Sequence, residues 1–364
     1  MILCSNPKLQ YLAHKEEIDI AIQSVLAKGN LVMGENVEAF EKEFSTFIGA
    51  KYTIGVGSGT DAICLALRAL EINDGDEIIV PSHTATASVA AIVLAGAVPV
   101  FAEVESEYFT LDPISVEKAI TPKSKGVLVV HLYGQPADMD GFRKVAKKYN
   151  LKLIEDCAQS PGASYKGTRV GTLGEVGCFS FYPTKNLGAL GDGGAVTTSD
   201  CKLAERLIKL RQYGWDKDRI SQYTGYNSRL DEIQAAVLRV KLRYLEEDNA
   251  NRISIANQYE EQLNSLPLVL PKRRPECLHV YHLFVIDVEQ RNALESNLKS
   301  KGVIAGIHYP VPVHLMPAFK GYSSQGLIHT EKIVDRVLSL PIYPELSHED
   351  QSLVINHLKE FFDK

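Results

Sequence analysis

Apolar residues recur at helical spacing near the start of the chain, then change to short continuous runs. Glu16 to Ala27 carries Ile18, Ile20, Ala21, Ile22, Val25 and Leu26, an amphipathic helix that Gly29-Asn30 stops. Val37 to Phe47 repeats apolar residues three and four apart, a second helix. YTIGV (Tyr52 to Val56) reads as a strand, and GSGTDAICLALRAL as a Gly-rich turn feeding a helix. EIIV (Glu77 to Val80), PVF (Pro99 to Phe101), GVLVV (Gly126 to Val130), KLI (Lys152 to Ile154), CFSF (Cys178 to Phe181) and GAVTT (Gly194 to Thr198) add six strands. Several are wholly apolar, as strands covered on both faces are. Helical stretches Ser88 to Leu94, Ser115 to Ile120 and Met139 to Tyr149 separate many of them. The alternation predicts an α/β fold whose large domain has a mostly parallel seven-stranded sheet flanked by helices.

After Leu203 the pattern changes. Leu203 to Leu210 is helical, and Asn227 to Leu245 leads into a long helix, capped at Asn227 or Ser228, that runs on to Leu263. Beyond the Pro-rich break at Pro267 to Pro275 come a strand HVYHLFVI, a helix Gln290 to Gly302, an aromatic strand GIHY, and helices near Glu331 to Leu338 and Asp350 to Phe361. This predicts a smaller C-terminal α+β domain over residues 246–364, after a large domain over residues 1–245.

Composition narrows the function classes. An apolar fraction of 45% with 23% charge is that of a soluble globular protein. A net charge of −6 lacks the basic footprint of a nucleic-acid binder. The most apolar stretch, Val89 to Ala102, is broken by Gly96 and Pro99 and is shorter than the roughly 18 residues of a membrane span. The start MILCSNPKLQ does not read as a signal peptide, so a cytoplasmic location is expected. The six cysteines form no CxxC pair and read as reduced thiols. The ten histidines show no HxxxH or HExxH spacing, and His279 and His282 fall on opposite faces of the expected strand, so no metal site is predicted.

One stretch, Leu153 to Ser199, concentrates the candidate chemistry. It opens on a strand delivering Asp156, at the strand end that faces the ligand crevice in open α/β sheets. An aspartate there can bind a metal, contact a ribose or pair with a ring nitrogen. The lack of nearby metal ligands favours the third, and a helix cap at Ala158 is the structural alternative. Ser180 and Lys185 follow as SFxxxK, then the glycine cluster Gly188 to Gly194. A serine can bind phosphate; a lysine can form an imine with an aldehyde and then move protons. Upstream, GSGTDA (Gly57 to Ala62) puts glycines at a helix N-terminus, an anion-binding arrangement without the Walker or GxGxxG spacing. A tight strand-to-helix turn is its plainer explanation.

In this order the motifs resemble the DegT/DnrJ/EryC1/StrS sugar aminotransferases, of the aspartate aminotransferase fold (type I of the pyridoxal phosphate enzymes). The likeness covers nearly the whole chain: GSGTDA, GDEIIVPSHT, HLYGQPADMD, IEDCAQSPGASYKG, GCFSFYPTKNLGALGDGGA, GYNSRLDEIQAAVL and HYPVPVHLMPAF. It implies pyridoxal 5′-phosphate as cofactor, with pyridoxamine 5′-phosphate as its amino form. It makes Lys185 the Schiff-base lysine and proton shuttle, and pairs Asp156 with the pyridine nitrogen. Gln159 would sit by the phenolic oxygen, and Ser180 with Gly59 and Thr60 would bind the phosphate. A homodimer with shared sites is implied, Asn227 reaching the neighbour's phosphate and Arg229 lying nearby. Tyr182, His308, Tyr309 and His314 are candidate substrate contacts, with aromatic-loop packing the alternative for His308 and His314.

One position departs from the family. Many relatives carry a ring-stacking aromatic after PSHT, where this chain has Ala85, which leaves either His83 or a lighter contact to take its place. The expected reaction is ping-pong transamination from L-glutamate to a nucleotide-linked keto-sugar. A dTDP-3-keto-6-deoxyhexose 3-aminotransferase is the leading reading, on PSHTA and RQYGW (Arg211 to Trp215), and C4 transfer on a dTDP- or UDP-sugar is the alternative. The related sugar 3-dehydratases carry histidine in place of the lysine, so Lys185 argues against that class. A cofactor-binding regulator would need a DNA-binding module, which neither the expected domains nor the charge provides.

Overall fold

The computed structural model describes residues 1–322 and 326–363. Its centre is a seven-stranded sheet: β1 (Tyr52–Val56), β2 (Glu77–Pro81), β3 (Val98–Ala102), β4 (Ser124–Val130), β5 (Lys152–Asp156), β6 (Val176–Ser180) and β7 (Gly194–Thr198). The spatial order is β1-β7-β6-β5-β4-β2-β3. Only β7 runs against its neighbours β1 and β6; the other pairings are parallel. All seven expected strands are therefore in one sheet, as the apolar runs implied.

Alternation along each strand explains why those runs are continuous. On β4, Val127 and Val129 face one apolar layer and Leu128 the other; on β6, Phe179 and Cys178 divide in the same way. One layer is covered by α1 (Glu35–Ile48), whose Phe40 and Phe44 meet Phe181 edge-on at 5.3 and 5.5 Å. The other is covered by α2 (Gly59–Ala69) and α3 (Thr86–Leu94), each of which follows a strand directly. A third cluster gathers Ile255, Tyr259, Phe284, Leu294, Leu338 and Leu358 from the C-terminal part, with Ile2 from the other end of the chain.

Four expectations for the second half are corrected. The helix expected from Asn227 begins only at Glu232, after Asp231, because Ser228 spends its hydroxyl on Asp61 and on the Gly57 N–H. It also ends at Leu242; three-residue hydrogen bonds at Arg243 and Tyr244 turn the chain before the helix Leu245–Leu263. The strand HVYHLFVI is a strand only over Phe284–Asp287. His279 Nδ1 takes the Tyr281 N–H at 3.0 Å and the two rings stack at 3.9 Å, so no ladder forms there. GIHY forms no strand, only a bridge from Gly306 to Ser339. The helix expected through Leu338 ends at Ile333, and Val337–Leu340 is a strand paired antiparallel with Phe284–Asp287. A four-residue apolar run cannot be told from a helical turn by period alone.

Candidate active site

The carboxyl ends of the parallel strands define one crevice. Register places Val130 beside Asp156 and Asp156 beside Cys178, so β4 and β5 end level and β6 runs two residues further, to Ser180. Ligands of open α/β sheets bind at such strand ends because the loops there can splay apart. A cavity of about 250 Å³ lies at this edge, lined by Gly59, Thr60, Asp156, Gln159, Ser180, Tyr182 and Lys185 among others. The structure thus gathers seven of the sequence-selected residues around one space.

Each is positioned by local chemistry. α2 begins at Gly59, with Ser58 capping it by accepting the Asp61 N–H at 3.1 Å. The N–H groups of a first turn have no partner within the helix, so they present a positive end to the cavity. Gly59 has no alternative here: a Cβ on it would lie 2.6 Å from Ser180 Cβ. Gly194 is equally constrained, since a Cβ would lie 2.3 Å from the Ser58 carbonyl oxygen. These glycines bring the helix start and Ser180 together.

Strand alternation selects Asp156 over its neighbour. Asp156 has the parity of Ile154, which packs in the layer of α2 and α3, whereas Glu155 points to the opposite face. There Glu155 accepts the N–H groups of Gly171, Leu173 and Gly174 and pairs with His131, a fully engaged structural role. His131, Glu155 and Cys157 are the one cluster of metal-type ligands among the described residues, and those bonds already occupy its carboxylate. Asp156 accepts from Ser88 Oγ at 2.7 Å and from the Ala158 N–H at 3.1 Å. It thus caps the turn at Ala158 and also faces the cavity.

Lys185 lies in the turn after β6, at the cavity wall. Loss of hydration lowers its pKa from 10.5 to about 8, and the negative charge of Asp156 opposes the fall. Gln159 is held at both ends: Oε1 accepts the Tyr133 N–H at 2.6 Å and Nε2 donates to the Tyr309 hydroxyl at 2.9 Å. Tyr182 is half-exposed at the mouth.

Other selected residues lie elsewhere. His308 bonds Ser339 through Nδ1 at 2.8 Å, and burial, then the charge of Lys185, lowers its pKa to about 4. His314 is buried behind the wall, bonded to Ser82 at 2.6 Å and to Glu331 at 3.1 Å, a clasp between two loops. Asn227 and Arg229 sit on the extended segment before Glu232, outside the lining of their own chain's cavity; Arg229 stands 6.0 Å from the Tyr213 ring. His83 is not in the lining either: it is buried, with Nε2 2.6 Å from the Tyr133 hydroxyl. Thr84, Ala85, Ala87 and Ser88 form that wall instead. Ser88 and Tyr133 escaped the sequence reading, because nothing in the order of residues links position 88 to 156 or 133 to 159.

The donor set fits pyridoxal phosphate. A carboxylate stands on one side of the cavity, an amine of depressed pKa on another, and a helix N-terminus with an adjoining hydroxyl closes the phosphate end.

Known proteins resemble this chain along nearly its whole length. A dTDP-3-amino-3,4,6-trideoxy-alpha-D-glucose transaminase of Streptomyces venezuelae is 46% identical over 98% of this chain and 95% of its own. A dTDP-3-amino-3,6-dideoxy-alpha-D-galactopyranose transaminase of Aneurinibacillus thermoaerophilus is 46% identical over 96% of both chains. The crystal structure of S. venezuelae DesV with a ketimine intermediate superposes with a TM-score of 0.96 at 45% identity, covering 100% of this chain and 98% of that one. The family profile matches residues 13–359. The chain belongs to the DegT/DnrJ/EryC1/StrS aminotransferase family, whose enzymes depend on pyridoxal phosphate.

Proposed function

We propose that this enzyme transfers an amino group from L-glutamate to C3 of a nucleotide-linked keto-sugar, a dTDP-3-keto-6-deoxyhexose. The observation that carries the reading is the convergence of Asp156, Lys185, Ser180 and the start of α2 on one cavity. The names of the two similar transaminases support the 3-position and the dTDP carrier. When bound, the cofactor supplies an electron-accepting ring for the carbon that exchanges its nitrogen. Asp156 would keep the ring nitrogen protonated, Gly59, Thr60 and Ser180 would hold the phosphate, and Lys185 Nζ would be the amine that holds the cofactor at rest. Once released, it is a base whose lowered pKa leaves a usable neutral fraction near pH 7–8, and it takes the proton from the substrate carbon. Tyr182 at the mouth would meet the sugar, with His308 as a further candidate.

The reading includes a cytoplasmic homodimer, with residues 1–245 forming the cofactor domain and 246–364 the smaller one. The exposure of Asn227, away from its own cavity, supports its use by a second copy. Among the described residues no helix is long and apolar enough to cross a membrane.

The test is amino-group formation from a panel of dTDP- and UDP-linked 3-keto and 4-keto sugars with glutamate, the carbon assigned by NMR. The purified protein should carry a visible cofactor absorbance band that Lys185→Ala abolishes. A protein with no such band after addition of pyridoxal phosphate, or one that aminates only 4-keto sugars, overturns the proposal at the corresponding level.

A further inference from the structure

Tyr133 sits behind the cavity in a left-handed conformation, φ 61° and ψ 3°, although it is not glycine. A bulky residue holds such a backbone only where its surroundings over-determine it. Here every polar group of the residue is engaged. Its N–H goes to Gln159 Oε1 at 2.6 Å, its carbonyl accepts the Leu283 N–H at 3.2 Å, and its hydroxyl lies between His83 Nε2 and the His308 carbonyl.

These partners determine the direction of each bond. A backbone N–H only donates, so the Gln159 atom facing Tyr133 is the oxygen, and the amide nitrogen faces Tyr309. Tyr309 oxygen therefore accepts, and among the described residues nothing takes its proton. The His308 carbonyl only accepts, so the Tyr133 hydroxyl donates to it and His83 must donate from Nε2. His83 Nδ1 is then bare, and it is indeed buried without a partner. The same hydroxyl ties the His308–Tyr309 segment to the loop after β4.

We propose that Tyr133 is a positioning residue that orients the Gln159 amide and the Tyr309 hydroxyl, so that both offer a proton to the phenolic oxygen of the bound cofactor. This rests on the cavity being the pyridoxal phosphate site. Two donors on that oxygen favour its anionic form, and loosening either raises the pH at which the bound cofactor changes absorbance.

The experiment compares wild-type holoenzyme with Tyr133→Phe, Tyr309→Phe and the double variant. The readouts are the pH midpoint of the absorbance change and the affinity of the apo-protein for pyridoxamine phosphate. His83, which touches the Tyr133 hydroxyl, and Asp156, Lys185 and His308 are present in all three of these variants, so the comparison isolates the hydroxyls. Each single variant should raise the midpoint, by about one pH unit for the loss of one hydrogen bond. Each should also weaken pyridoxamine phosphate binding several-fold. The double variant should match Tyr309→Phe, because the Tyr133 hydroxyl acts through the His308–Tyr309 segment, while the backbone N–H that holds Gln159 is kept in Tyr133→Phe. Additive shifts, or an unmoved midpoint and affinity in a folded Tyr133→Phe protein, overturn the proposal. Should Tyr133→Phe fail to fold, His83→Leu, which removes the other partner of the same hydroxyl, is read in the same way. A wild-type protein without a cofactor band instead refutes the proposed function itself.

Discussion

Glu232 offers a sharp test of how the site is anchored. Its carboxylate is buried at the start of the helix Glu232–Leu242 but serves the start of another, α1. Oε1 accepts the N–H groups of Gly34 and Val37 at 2.8 and 2.9 Å, and Oε2 accepts the N–H and the Nδ2 of Asn36, both at 3.0 Å. The N-cap residue Gly34 has no side chain for the task, so Glu232 replaces the missing cap from 195 or more residues away. In Glu232→Gln the one remaining oxygen can keep the two buried N–H groups, and the new NH₂ then faces two donors. Asn36 cannot turn to help, because its Oδ1 already accepts from Arg239 at 2.9 Å. Two charge-assisted bonds at about 1.5 kcal/mol net each, plus about 0.5 kcal/mol of lost attraction to the helix end, give about 3.5 kcal/mol of destabilisation. Urea unfolding of the apo-protein at fixed protein concentration measures it. The cofactor affinity should fall as well, because Glu232 fixes the segment whose Ser228 holds Asp61 in the first turn of α2. A loss below 1 kcal/mol would refute the claim that the carboxylate is the cap.

Two further outcomes follow from the cavity itself. In the apo-protein the Lys185 pKa, lowered from 10.5 to about 8, makes the native state bind fewer protons than the unfolded chain between those values, so stability rises with pH across that window. Lys185→Met should therefore stabilise apo-protein by about 2–3 kcal/mol at pH 7, after allowance for residual solvent contact, and the gain should shrink to little by pH 10.5; equal gains at pH 7 and pH 10 in urea titrations would exclude this origin. Gly59→Ala sets a methyl 2.6 Å from Ser180 Cβ and must push the helix start from the strand, so cofactor affinity measured by titration should drop at least roughly tenfold while the far-UV spectrum stays unchanged.

Much of this could be read from residue order, for one physical reason: the signals are local. A strand covered on both faces is apolar throughout, so all seven sheet strands stood out. A glycine turn before a helix, an acid at a strand end and a lysine after an apolar strand each announce themselves within a few residues. The second half was less legible where tertiary contacts overrode local pattern. The Ser228 hydroxyl, spent on Asp61 and the Gly57 N–H, delays a helix cap by three or four residues, and a His279 ring nitrogen replaces a strand ladder at Tyr281. Short apolar runs such as Val337–Leu340 take the structure their pairing partner offers.

By itself, then, the sequence determined the sheet, its layers and the identity of the acid, serine and lysine that a pyridoxal phosphate site needs. Tertiary structure alone decided how those groups are held: Ser88 on Asp156, Ser180 against Gly59, and the Tyr133–Gln159–Tyr309 chain behind the cavity. It also withdrew His83 and His314 from the lining and gave each a loop to hold. The reason is that a side chain's type is written in the chain, whereas the direction of a hydrogen bond depends on which distant group the folded backbone brings within 3 Å of it.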